Sequence, residues 1–151
     1  MHPLPLLSDW GAPGDTITAP RVEVPAAGLY ALRVRYSNGA GPINTGIACG
    51  VKRLEVMDPA GTVVAAGYLV MPQLGDAARI EASSAVFARL RPGTAYRAVL
   101  REDDVSRNMS YMERNTRYTN WPGGGDQPYN RVGVAAVLIE AAPEPLRAPV
   151  P

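Results

Sequence analysis

The sequence predicts an all-β domain, an antiparallel β-sandwich, and three observations carry that prediction. About seven short stretches alternate apolar and polar residues with a period of two, and turn signals separate them. No stretch shows the apolar spacing of a convincing amphipathic helix. Finally, 15 glycines and 15 prolines among 151 residues favour frequent turns over long helices. The length suits one domain that can bury a real core.

The elements follow in order. Gly14-Asp15 reads as a turn that feeds Thr16-Ile17-Thr18, and Arg21-Val22-Glu23-Val24 then alternates as a strand does. Pro25-Ala26-Ala27-Gly28 interrupts it. The clearest strand spans 29–36, where Tyr30, Leu32, Val34 and Tyr36 share one face and Ala31, Arg33 and Arg35 the other. Arginines on the second face place it in water, which fits an antiparallel sheet. A strand over 52–57 alternates Leu54 and Val56 with charge, and Asp58-Pro59-Ala60-Gly61 is a strong turn signal. Thr62-Val63-Val64 should return as the hairpin partner, extended or restarted over 67–71. Residues 76–90 are ambiguous. Asp76-Ala77-Ala78-Arg79 could open a short helix, but a loop and then a strand over 84–90 fits better, because Arg91-Pro92-Gly93 reads as a hairpin turn into a strand over 94–102. The stretch 132–139 is almost continuously apolar and should be a central strand covered on both sides.

Composition excludes several function classes. A net charge of +1 gives no electrostatic case for nucleic acid or an anionic membrane. The single cysteine, Cys49, rules out an internal disulfide and a cysteine-cluster metal site. His2, the sole histidine, falls in a stretch expected to fray, so histidine-based triads and metal centres lose their usual member. No apolar run reaches the roughly 18–20 residues of a membrane helix. Residues 1–13 carry no basic n-region or small-residue cleavage site, and read as a linker or a remnant foreign to the domain. The domain proper is expected over 14–141, followed by a Pro-rich tail over 142–151. Linker-like flanks suggest a module within a longer chain, monomeric in isolation.

Two connections stand out. The first, Ser37-Asn38-Gly39-Ala40-Gly41-Pro42-Ile43-Asn44-Thr45-Gly46, is rich in amides and glycine. The second, over 107–130, carries Tyr111, Tyr118, Trp121 and Tyr129 among Asn108, Asn115, Asn120 and Asn130. Connections longer than roughly 12–15 residues are uncommon in compact domains unless functional or disordered. Disordered segments are usually poor in aromatics. Rings beside amides suit a polyhydroxylated ligand, whose C–H faces stack and whose hydroxyls hydrogen-bond. An Ω-loop packed by its own aromatics is the equal alternative. Loops at one end of a sandwich cluster in space, so Tyr36, Asn38, Asn44, Tyr118, Trp121 and Asn130 are the candidate carbohydrate-binding residues.

Gly28-Leu29-Tyr30 opening a strand, Tyr36-Ser37-Asn38-Gly39 closing it, Leu90-Arg91-Pro92-Gly93, an Asn108-bearing loop, and Asn130 before the last strand form a pattern. Over residues 28–140 the chain resembles the galactose-binding-like jelly-roll sandwiches, especially carbohydrate-binding modules of families 6 and 35, which are appended to glycoside hydrolases. The resemblance implies a sugar site in loops at one end of the sandwich, with Asn130 as a contact. It also implies a structural calcium site near the first strand, for which Asp15 and Glu23 are candidates. The usual close acidic pair is missing, so no cofactor is expected.

Other groups weigh less. Glu102-Asp103-Asp104 is the acidic cluster, but neighbours on a strand point to opposite faces, and a solvated position is expected for it. With Glu113 it could form a glycosidase pair. Lys52, Arg114 and Arg117 could meet a uronic acid carboxylate, though solvent exposure is the simpler expectation for each. Cys49 should be a small buried residue. Gly123-Gly124-Gly125 lacks the strand, helix and lysine of a phosphate loop. The leading reading is a non-catalytic carbohydrate-binding module that binds an oligo- or polysaccharide beside a linked or neighbouring catalytic domain. A secreted or periplasmic parent protein fits it. A structural sandwich that packs on a catalytic domain without ligand is the alternative, and a small glycosidase or lyase is the weakest.

Overall fold

The computed structural model describes residues 2–11, 14–39, 49–76, 78–102 and 131–144, with side chains described from residue 7 onward. The described residues form nine strands: β1 (His2–Trp10), β2 (Thr16–Val22), β3 (Gly28–Ser37), β4 (Cys49–Met57), β5 (Val63–Pro72), β6 (Glu81–Ala82), β7 (Val86–Leu90), β8 (Tyr96–Arg101) and β9 (Val132–Ala141). They form two antiparallel sheets. One runs β1-β9-β3-β6, with β7 also on β3, and the other runs β2-β8-β4-β5. The fold is an all-β antiparallel sandwich, as the strand count and turn signals predict. Among the described residues no helix forms at 76–79, and a loop leads into the short β6 and then β7.

Period-two alternation builds the core. Tyr30, Leu32, Val34 and Tyr36 of β3 face Leu54 and Val56 of β4 and Leu69 and Met71 of β5 within one buried cluster. β7 repeats the pattern with Val86, Ala88 and Leu90 buried, and Phe87 and Arg89 exposed. A Cβ on Gly67 would lie 2.9 Å from Val86 Cγ2, so only glycine lets the two sheets close at that point. Turns set the registers. Asp58 Oδ1 accepts from the Thr62 N–H at 2.8 Å, and Gly61 sits at φ 87°, as the Asp58-Pro59-Ala60-Gly61 signal requires.

β9 lies between β1 and β3. Val132 to Val137 are buried apart from Ala135, while Leu138 and Ile139 are half-buried and Glu140 and Ala141 are exposed. The continuous apolar run thus marks a strand paired on both edges but covered on both faces only over its first half.

The two flanks differ from their expected character. Residues 2–10, expected to be linker, form β1 and pair with β9, with His2 opposite Val137 and Trp10 opposite Val132. The reason is physical: an edge beside the most apolar strand rewards any segment that can pair there, and edge strands tolerate proline. Past β9, the Ala142 N–H donates to Leu29 O at 2.9 Å, so the start of the expected tail is fastened to the sheet. Residues 145–151 lie outside the described residues.

Candidate functional site

The two amide-rich connections are rooted at one end of the sandwich. β3 ends at Ser37, which pairs with Gly133 at the beginning of β9. Asn38 therefore leaves the sheet beside the point where Arg131 enters it. In the other sheet β4 begins at Cys49, opposite Pro72 at the end of β5. Polar bonds join these corners across the core. Asn38 Nδ2 donates to Met71 O at 2.9 Å, the Leu74 N–H donates to Asn38 O at 2.7 Å, and the Tyr36 hydroxyl donates to Pro72 O at 3.0 Å. The last turn of β3 is thus sewn to the end of β5.

The fourth root is Glu102, just past β8, whose N–H donates to Asp15 O at 2.9 Å. Its carboxylate meets Lys52 Nζ at 2.5 Å, with the two side chains 1% and 0% exposed. Lys52 lies on the inward face of β4, in step with Gly50, Leu54 and Val56. The Trp10 ring packs over its ammonium, 5.3 Å from centroid to nitrogen, where ring quadrupole and cation attract. Trp10 is opposite Val132, so this cluster fastens β1, β4, β8 and the start of β9 at the same rim. Outside, Arg131 Nη1 pairs with Asp9 Oδ2 at 2.9 Å.

These placements correct several expectations. Tyr36 and Asn38, proposed from sequence as sugar contacts, are each 2% exposed and bonded to backbone carbonyls of β5. They belong to the frame of the rim rather than its surface. Burial, reinforced by the nearby Cys49 and Glu81, pushes the Tyr36 phenol up to about 12, so it stays a neutral donor. Lys52 and Glu102, expected in solvent, form a buried ion pair instead. The signal was there in parity, since Lys52 shares the face of Leu54 and Val56. Cys49 is half-buried, and burial raises its thiol above the ordinary value. Asn44, Tyr118, Trp121 and Asn130 lie outside the described residues, as do Asp103, Asp104, Glu113, Arg114, Arg117 and the 123–125 glycine run.

The acidic positions raised for calcium are engaged elsewhere. Asp15 Oδ2 accepts from the Gly11 N–H at 3.2 Å, and Glu23 pairs with Arg21 in solvent. Among the described residues no three His, Cys, Asp or Glu side chains gather as a metal site would require. On the outer face of the second sheet Glu55 bridges Arg101 and Arg53 at 2.8 Å each. The Arg101 hydrogen bond, assisted by Arg53, holds its carboxyl below the usual range.

No protein-family model matches the chain, and no curated protein matches it in sequence. Among solved structures it is similar to CsCBM6-3 from Clostridium stercorarium, determined in complex with cellobiose. The two share 11% identity and a TM-score of 0.48 over 91% of this chain and 82% of that one.

Proposed function

We propose that the chain is a non-catalytic carbohydrate-binding module of a larger polysaccharide-acting protein, and that sugar meets the rim where the two long connections are rooted. The observation that supports this most is the convergence of the four roots, Asn38, Cys49, Glu102 and Arg131, on one end of the sandwich. Two amide-rich segments, the second of which also carries the four rings, lie about 60–90 positions apart in sequence and thereby spring from one place. In this reading Trp121 or Tyr118 stacks on a sugar ring, and Asn44 and Asn130 bond its hydroxyls. Tyr36 and Asn38 hold the rim that carries them. No metal is needed.

Chemistry elsewhere favours binding over the alternatives. A sandwich that only packs on a neighbour would present a continuous apolar outer face. Here the outer faces carry the ion pairs Arg53–Glu55–Arg101, Arg33–Glu140 and Arg89–Glu144. Of the acidic cluster raised for catalysis, Glu102 is bound to Lys52 within the core.

A glycan array followed by titration against the best glycan tests the reading. Trp121→Ala should weaken binding by about 1 kcal/mol or more if its ring is a platform. Asn130→Ala should cost roughly 1–3 kcal/mol through an unpaired hydroxyl. Both variants should melt as the parent does. Unchanged affinity in both sinks the site, and an array with no glycan retained sinks the function.

A further inference from the structure

The opposite end of the sandwich holds a cleft of its own. β3 begins there at Gly28, whose register partner is Leu90, the last residue of β7. Ala27, Gly28, Arg89, Leu90 and Arg91 line a cavity of about 260 Å³. Leu90 is 1% exposed and forms its apolar floor. The two small residues leave room on one side, and two guanidinium-bearing residues flank the other. Phe87, on the same outward face of β7 as Arg89, is 56% exposed.

One of the two cations is already holding a carboxylate. Arg89 grips Glu144 in a fork, Nη1 to Oε1 at 2.8 Å and Nη2 to Oε2 at 2.7 Å. The bond from the Ala142 N–H to Leu29 O brings that segment over, because Leu29 is the register partner of Arg89. Arg91 differs. Its backbone N–H donates to the Tyr96 hydroxyl at 3.1 Å, yet among the described residues no carboxylate pairs with its guanidinium. Among the described residues the cleft therefore sets two guanidinium charges against one exposed carboxylate.

We propose that this cleft binds a carboxylate-bearing ligand. Arg91 supplies the first ion pair and Arg89 the second, and Glu144 is a built-in competitor that occupies Arg89 until the ligand displaces it. The planar fork of arginine matches a carboxylate in both charge and shape, and the occupant the structure does show is a carboxylate. Pockets for drug-sized ligands run from roughly 300 to 1,000 Å³. A smaller cleft suits a short organic acid or a single acidic side chain of a peptide, with Leu90 beside its carbon skeleton. The site is at the other end of the sandwich from the proposed sugar rim and does not depend on it.

The test is an NMR titration of the full chain that follows the Gly28 and Leu90 backbone amides. The probes are succinate, its uncharged diamide, and a blocked tripeptide with glutamate between two prolines. Succinate or the peptide should shift both amides, the diamide should not, and added salt should weaken the effect. A response to succinate alone assigns a free acid as the source, and a response to the peptide alone assigns an acidic segment of a polypeptide. Glu144→Gln should bind the responding probe roughly two- to fivefold more tightly, because the competing internal pair is gone. Arg91→Gln should abolish the shifts and keep the fold, since it retains the backbone bond to Tyr96. Arg91→Lys should bind weakly. No shift with either acid in Glu144→Gln, or an unchanged response in Arg91→Gln, overturns the proposal.

Discussion

The two ends of the sandwich each hold an ion pair, and the pairs are opposites. Lys52 and Glu102 meet inside the core, 0% and 1% exposed, under the rim of the long connections. Arg89 and Glu144 meet in solvent at the short-turn end, 67% and 58% exposed. In water the attraction of such a pair is weakened by solvent and salt, and ordering two long side chains offsets much of the rest. In the interior the attraction is far stronger, but so is the cost of leaving either charge alone. The same chemistry is therefore a fastening at one end and an exchangeable contact at the other. Architecture explains the division. At the long-connection end the chain leaves the sheets four times, and the strand ends need bonds that loops of this length do not guarantee. At the other end, tight turns such as Arg91-Pro92-Gly93, with Gly93 at φ 73°, close the chain locally.

The largest expected effect lies in breaking the buried pair. Lys52→Met leaves the Glu102 carboxylate in the core without its cation and should cost about 3–5 kcal/mol. Replacing both, as Lys52→Met with Glu102→Leu, should recover most of that loss, because the uncompensated charge is gone. Urea unfolding with an unchanged m-value measures both. A single variant as stable as the parent would mean that this end is not fastened as described, and the contrast between the ends would fail.

A smaller effect belongs to the polar seam at the same rim. Asn38→Ala removes the donor to Met71 O in a site that is 2% exposed, and should cost about 1–3 kcal/mol. Tyr36→Phe removes the bond to Pro72 O and should cost about 0.5–1.5 kcal/mol. Thermal unfolding separates the two. If Asn38→Ala left stability intact and weakened sugar binding instead, Asn38 would return to the ligand-facing set.

How far the sequence disclosed this arrangement depends on distance along the chain. The alternation of Tyr30, Leu32, Val34 and Tyr36 and the turn at Asp58-Pro59-Ala60-Gly61 are local patterns, and both predict what forms. β1 was hidden, because Pro3 and Pro5 read as linker while its partner β9 lies some 120 positions away, Trp10 facing Val132. Lys52 was half-legible. Its parity with Leu54 points inward, but burying a lysine makes sense only with Glu102, 50 residues on, and no local pattern reveals that partner. Asn38 and Tyr36 misled for a related reason. An amide and a phenol at the end of a strand look ready for a ligand, whereas their acceptors are carbonyls of β5, 33 and 36 residues away. The roots of the candidate site were thus legible as places in the chain, and the polar bonds that hold them were not.

The smallest effect is expected at the other end, and its smallness is the point. The hydrogen bond from Arg89 holds the Glu144 carboxyl below its ordinary value. A carboxyl lowered in the folded state adds stability above its unfolded pKa and loses it as pH falls through the folded value. Any contribution from Glu144 therefore belongs to neutral pH and should fade on the acid side. Both partners are exposed, so solvent screening should leave little to lose. Glu144→Gln should accordingly melt with the parent at neutral pH, at acid pH and in high salt. Lys52→Met should melt well below the parent at neutral pH both with and without added salt, since salt reaches exposed charges and not buried ones. A fall of several degrees in Tm for Glu144→Gln at neutral pH, erased by acid or by salt, would make Arg89–Glu144 a structural staple. It would then be no exchangeable contact, and the two ends would differ in exposure without differing in role.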